Sequence, residues 1–141
     1  MKILVAVDGS KTSLKAVKYA ITLAKQLEKK PTLTLINVHD DEPLNRIKNF
    51  VGKTEVENYL IETSQKELKP TQKILNDSGI KHSFVIELGH ISESIVNFAN
   101  KGKFDLIIMG GKGRTGIADV ILGSVTQRVS SLAKQPVLLI K

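Results

Sequence analysis

The sequence predicts an α/β protein built on a parallel sheet. Short runs rich in Val, Ile and Leu alternate strictly with segments of helical periodicity, in the order β-α-β-α-β-α-β-α-β. Several of these runs are almost wholly apolar, which is how strands buried on both faces read. Strict alternation joins parallel strands through right-handed crossovers. One further stretch marks the functional end of such a sheet. It is MGGKGRTGIADVILGSVTQ, residues 109–127, which leads from the fourth run into the last helix.

Residues 2–7 (KILVAV) form the first strand. Asp8-Gly9-Ser10 closes it: Gly9 permits a tight turn and Ser10 is a helix N-cap. The first helix spans about residues 11–29, with Leu14, Val17, Ile21, Ala24 and Leu27 as its apolar stripe, and Pro31 prevents continuation. Residues 32–39 (TLTLINVH) are the second strand. Residues 40–54 lack periodicity and contain Pro43 and Gly52, so they read as a loop with a short helical turn.

Helical patterning resumes over residues 55–78, with Val56, Tyr59, Leu60, Ile74 and Leu75. Pro70 lies inside it and predicts a kink or break. Gly79 is the expected C-terminal cap. The third strand lies within 80–88, and a helix over 92–100 turns Ile95, Val96 and Ala99 inward and ends at Gly102. Residues 104–109 (FDLIIM) read as a central strand. Residues 124–134 form the last helix, with Val125, Val129 and Leu132 inward, and 136–140 (PVLLI) the last strand.

A length of 141 residues fits one domain, residues 1–141. No apolar run approaches the roughly 20 residues that span a bilayer. The apolar opening is too short for a signal peptide and is interrupted by Asp8, so the expected location is cytoplasmic. The absence of cysteine excludes disulfides and thiolate chemistry, and His39, His82 and His90 match no metal-binding spacing. The net charge of +7 reads as a solvated lysine face, because Lys11, Lys15, Lys18, Lys25 and Lys29 oppose the first helix's apolar stripe. With 4% aromatic residues and no aromatic–basic interleaving, sequence-specific nucleic-acid binding does not fit.

In open parallel sheets, ligands lie beyond the carboxyl ends of the strands where strand order reverses. Strands one and four are the natural neighbours there, which puts Asp8 beside Gly110 and the glycine loop. Backbone N–H groups that converge without intervening side chains bind phosphate well, and the N-terminus of the next helix adds donors and partial positive charge. Ser124 contributes a hydroxyl at that terminus, and Lys112, Arg114 and Arg128 raise the local charge. The stretch Gly111-Lys112-Gly113-Arg114-Thr115-Gly116 formally matches GxGxxG. It follows strand four rather than opening a first βαβ unit, so a dinucleotide reading fails. A Walker A loop fails because Ile117 stands where lysine is needed.

On these residues the chain resembles the universal stress protein family over nearly its whole length. The opening KILVAVDGSKTSLKAVKYA, the segment FDLIIMGGKGRTG and the closing QPVLLI carry the resemblance. So does Gly110-x2-Gly113-x9-Gly123-Ser124, which is similar to the G-2x-G-9x-G-(S/T) motif of the family's ATP-binding branch. The resemblance implies an open five-stranded sheet in order 3-2-1-4-5 with helices on both faces, a Rossmann-like relative of other adenine-nucleotide-binding α/β domains. It implies ATP or another adenine nucleotide as ligand, with Mg²⁺ bridging the phosphates. Asp8 would face the ribose and Val38 would meet adenine through its backbone. Met109 and Gly110 would lie by the ribose and phosphates, and Gly113, Gly123, Ser124 and Val125 would hold the phosphates. It also implies a homodimer through strand 136–140 and a regulatory role in the stress response. The residues leave open a slow ATPase, for which no dedicated base is seen, and a nucleotide-free interaction module.

Overall fold

The computed structural model of the chain describes residues 1–40, 42–111 and 122–141. The elements run β1 (Lys2–Ala6), α1 (Lys11–Gln26), β2 (Thr32–His39), α2 (Glu42–Asn45), α3 (Lys48–Val51) and α4 (Lys53–Ser78). They continue with β3 (His82–Leu88), α5 (Ile91–Lys101), β4 (Leu106–Gly110), α6 (Ser124–Leu132) and β5 (Val137–Ile140). The strands form one sheet in the order β3-β2-β1-β4-β5, and every neighbouring pair is parallel. Strand order therefore reverses between β1 and β4, as the resemblance implied.

Strand periodicity divides the core between the two faces. Ile3, Val5 and Val7 join Leu33, Leu35, Ile108 and the inward residues of α1 and α4 in one cluster. Leu4 and Ala6 join Ile36, Val38, Ile107, Met109 and the inward residues of α5 and α6 in the other. The near-continuous apolar runs of β1 and β4 are thus explained by burial on both sides.

Ser10 caps α1 as expected, its hydroxyl accepting a hydrogen bond from the Ser13 amide at 3.1 Å. The buried face of α1 is lined by small residues, Ser13, Ala16, Ala20 and Ala24, around Val17 and Ile21. Leu14 and Leu27, expected in the stripe, are only half-buried. Small side chains let the helix lie close to β1 and β4. Ile95, Val96 and Ala99 of α5 and Val129 of α6 are buried as expected, whereas Leu132 is exposed.

Two expectations are corrected along the β2–β3 connection. Residues 42–51 hold two short helices, α2 and α3, rather than a single turn in a loop. Of the kink or break expected at Pro70, the break does not occur: α4 continues through it to Ser78 and is capped by Gly79 in the left-handed conformation. The reason is packing. Val56, Leu60, Ser64, Leu68, Thr71 and Leu75 keep a buried row facing the sheet on both sides of the proline. Pro70 and Lys66 lie on the exposed side, where water can solvate the carbonyl left without an amide partner.

Candidate functional site

The site is built at the carboxyl ends of β1, β2 and β4. After β1 the chain turns at Gly9, whose φ of +80° favours glycine. Asp8 Oδ1 accepts a hydrogen bond from the Ser10 amide at 2.9 Å, which ties the carboxylate into the turn that starts α1. Gly110, at the end of β4, lies directly against α1. A Cβ there would stand 2.7 Å from Thr12 Oγ1 and 2.9 Å from the Thr12 carbonyl carbon. On its other side Thr126 Oγ1 donates to the Gly110 carbonyl at 3.1 Å.

The base of the glycine loop is closed by backbone. The Gly111 amide donates to Ile140 O at 2.8 Å, and the Gly123 amide donates to Gly111 O at 3.1 Å. Gly123 is the N-cap of α6 and brings no side chain to it. The helix opens with the Gln127 amide bonded to Gly123 O at 3.0 Å, so the first-turn amides of Ser124, Val125 and Thr126 have no intrahelical acceptor.

A cavity of about 300 Å³ lies at this junction, lined from β1, β2, β4, α5 and the start of α6. It brings together seven of the eight residues expected from the sequence: Asp8, Val38, Met109, Gly110, Gly123, Ser124 and Val125. The eighth, Gly113, lies outside the described residues, as do Lys112 and Arg114. Ile36, Ile91 and Ile95 supply apolar wall, and Ser10, Ser13 and Thr126 supply hydroxyl-bearing side chains. Among the described residues, no group of three or more His, Cys, Asp or Glu side chains could hold a metal ion.

Arg128 does not add free positive charge to this site. It pairs with Glu93 on α5, Nη2 at 3.1 Å and Nε at 3.2 Å from Glu93 Oε1. The Glu93 carboxyl is held below its ordinary range, first by a backbone hydrogen bond in the opening turn of α5 and then by the Arg128 guanidinium.

The sequence reading missed a polar cluster beside the cavity, one member of which, His39, is part of the cavity wall. Glu67 of α4 accepts hydrogen bonds through Oε2 from Asn37 Nδ2 and His39 Nε2, both at 3.0 Å. Asn37 Nδ2 also donates to Val7 O at 2.8 Å. The available signal was Asn37, an amide side chain between the apolar Ile36 and Val38 of β2. Its partner Glu67 is 30 residues away on a helix whose register periodicity alone left uncertain. His82 serves structure, with Nδ1 at 2.7 Å from Ile80 O and Nε2 at 3.1 Å from Asn76 Oδ1.

An open parallel sheet, a cavity at the reversal of strand order and a helix N-terminus facing it place the chain among the doubly wound α/β domains. The model of the universal stress protein family matches residues 1–141. Universal stress protein MJ0531 of Methanocaldococcus jannaschii is 38% identical over 141 residues, covering 99% of this chain and 81% of the relative. The structure of hypothetical protein MJ0577, from the same organism, superposes with a TM-score of 0.86 at 32% identity, covering 99% of this chain and 94% of that one. The universal stress protein from Archaeoglobus fulgidus in complex with dAMP superposes with a TM-score of 0.70 at 22% identity, covering 100% and 98%, a likeness of fold. The chain belongs to the universal stress protein family.

Proposed function

We propose that this protein binds an adenine nucleotide, ATP foremost, in the cavity between β1 and β4, and acts as a nucleotide-dependent regulator in the stress response. The observation that carries the reading is the cavity itself. It joins a carboxylate at the end of β1, a side-chain-free backbone at Gly110 and the α6 N-terminus, whose N-cap is a glycine. In this reading Asp8 holds the ribose and the Val38 backbone meets the base. Met109 and Gly110 lie along the ribose and phosphates. Gly113, Gly123, Ser124 and Val125 hold the phosphates through backbone amides and the Ser124 hydroxyl. In this reading Mg²⁺ would bridge the nucleotide phosphates. The Archaeoglobus relative holds dAMP, which makes an adenine nucleotide a reasonable first ligand to test.

Regulation is favoured over turnover by the position of the carboxylate. Asp8, the acid assigned to this cavity, is tied to the Ser10 amide and assigned to the ribose, whereas hydrolysis needs a group that orients water at the terminal phosphate.

The test is mass spectrometry of ligand released from freshly purified protein, followed by calorimetric titration with Mg·ATP. Wild type should bind with a micromolar Kd, and Gly113→Ala and Gly123→Val should each lose at least about tenfold in affinity. The circular dichroism spectra should stay unchanged. An absence of co-purified nucleotide and of titration heat would make the glycines structural and move the reading to a nucleotide-free interaction module.

A further inference from the structure

We propose that Glu67 is a positioning residue for the nucleoside half of the site, holding both chain segments that carry it from behind the sheet. The ligand assignment rests on the function proposed above; the geometry stands on its own. Glu67 comes from α4, on the face of the sheet opposite α5 and α6. Its side chain is 14% exposed and that of His39 15%. Successive strand residues point to opposite faces, and the clamp uses that alternation twice. On β2, Asn37 and His39 hydrogen-bond Glu67, His39 reaching it from the cavity wall, while Val38 between them packs with the core beside α5 and α6.

At the end of β1, Asp8 is flanked in the same way. On one side is Val7, whose carbonyl accepts from Asn37 Nδ2. On the other is Gly9, where a Cβ would stand 3.0 Å from Glu67 Cγ and 3.2 Å from its Cβ. Glu67 therefore bonds both neighbours of Val38 directly, reaches Val7 through Asn37 and lies against Gly9, without itself lining the cavity.

Asn37 is oriented by this arrangement. Both groups facing its NH₂ are acceptors, Val7 O and Glu67 Oε2, so the amide cannot flip. Among the described residues its Oδ1 finds no hydrogen-bond partner although the residue is 1% exposed. An unpaired buried oxygen lowers stability, and the Asn37 amide offsets that loss by donating to Val7 O and Glu67 Oε2. Asn37 thereby ties β2 to the Val7 carbonyl beside Asp8. A carboxylate only accepts, so His39 Nε2 carries the hydrogen toward Glu67.

The experiment compares Glu67→Ala and Glu67→Gln with the exposed control Glu62→Ala on the same helix. Amide hydrogen exchange of the unliganded chain is read by NMR, and adenosine and ATP are titrated separately. In Glu67→Ala, exchange should rise about tenfold at Val7, Ser10 and Gly89. Their wild-type acceptors are Ile36 O, Asp8 Oδ1 and His39 O. It should stay unchanged at Ile107 and Gly111, whose acceptors are Pro136 O and Ile140 O.

Adenosine and ATP should weaken by the same factor, about tenfold, because the loss lies in the nucleoside half. Glu67→Gln keeps an oxygen for Asn37, should fall between, and carries the test if the alanine variant does not fold. Exchange unchanged at the three amides, or raised uniformly across the sheet, overturns the inference. So does wild-type affinity in a folded Glu67→Ala. The local exchange pattern in a wild type that binds no adenine nucleotide would uphold the clamp and remove the proposed function.

Discussion

At the scale of single residues, the site depends on where side chains are missing. Gly110 sits between Thr12 and Thr126 with no room for a methyl group. Part of what such a group would meet is the Thr12 backbone, which cannot rotate away as a side chain can. Gly110→Ala should therefore destabilise the fold by about 1–3 kcal/mol, the usual cost of overpacking, measured by urea denaturation. The same variant should weaken ATP binding beyond its effect on stability, because displacing Thr12 also moves the Ser10–Asp8 turn. A stability equal to wild type would mean that α1 yields without cost and that the close approach does not require glycine.

At the scale of elements, α4 shows how packing overrides local propensity. Proline in a helix interior removes a hydrogen bond and clashes with the preceding turn, for about 3 kcal/mol. Here the buried row from Val56 to Leu75 holds the helix across that position. Continuity also matters for the site, because Glu67 lies three residues before Pro70 and must reach Asn37 and His39. Pro70→Ala should stabilise the protein by about 1–3 kcal/mol, seen as a higher Tm, with nucleotide affinity unchanged. Part of the gain is offset because proline also restricts the unfolded chain. A lower Tm would show that the native helix is bent around the proline in a way that alanine does not reproduce.

At the scale of the whole molecule, the sheet has two open edges, β3 and β5. An apolar edge strand with unpaired backbone groups favours pairing with another chain. Pro136, just before β5, and Ile140 within it turn their carbonyls toward β4, accepting from Ile107 and Gly111. By alternation Val137 and Leu139 direct their backbone groups outward. The homodimer that the family resemblance implies would pair this edge with its copy. Analytical ultracentrifugation at micromolar concentration should give a dimer for wild type. Leu139→Pro should give a folded monomer, because it removes an outward N–H and leaves the β4 ladder intact. A wild-type monomer under those conditions would overturn that expectation.

The sequence by itself determined what depends on neighbours along the chain. Apolar runs without polar alternation identified strands buried on both faces, Ser10 and Gly79 marked helix ends, and the glycines after β4 marked a backbone meant for close approach. These signals are local, since a cap, a turn or a strand period is settled within a few residues. With the family resemblance they also led to the strand order and to Asp8, Val38, Gly110 and Gly123 around one cavity. Only the tertiary structure decided that Pro70 is carried inside a continuous helix, that α1 meets the sheet through alanines, and that Arg128 is taken up by Glu93. It alone revealed the Asn37–Glu67–His39 cluster. Each of those outcomes depends on groups distant in sequence meeting at a particular register, and helix and strand periodicity do not specify which residues face each other across a packed interface.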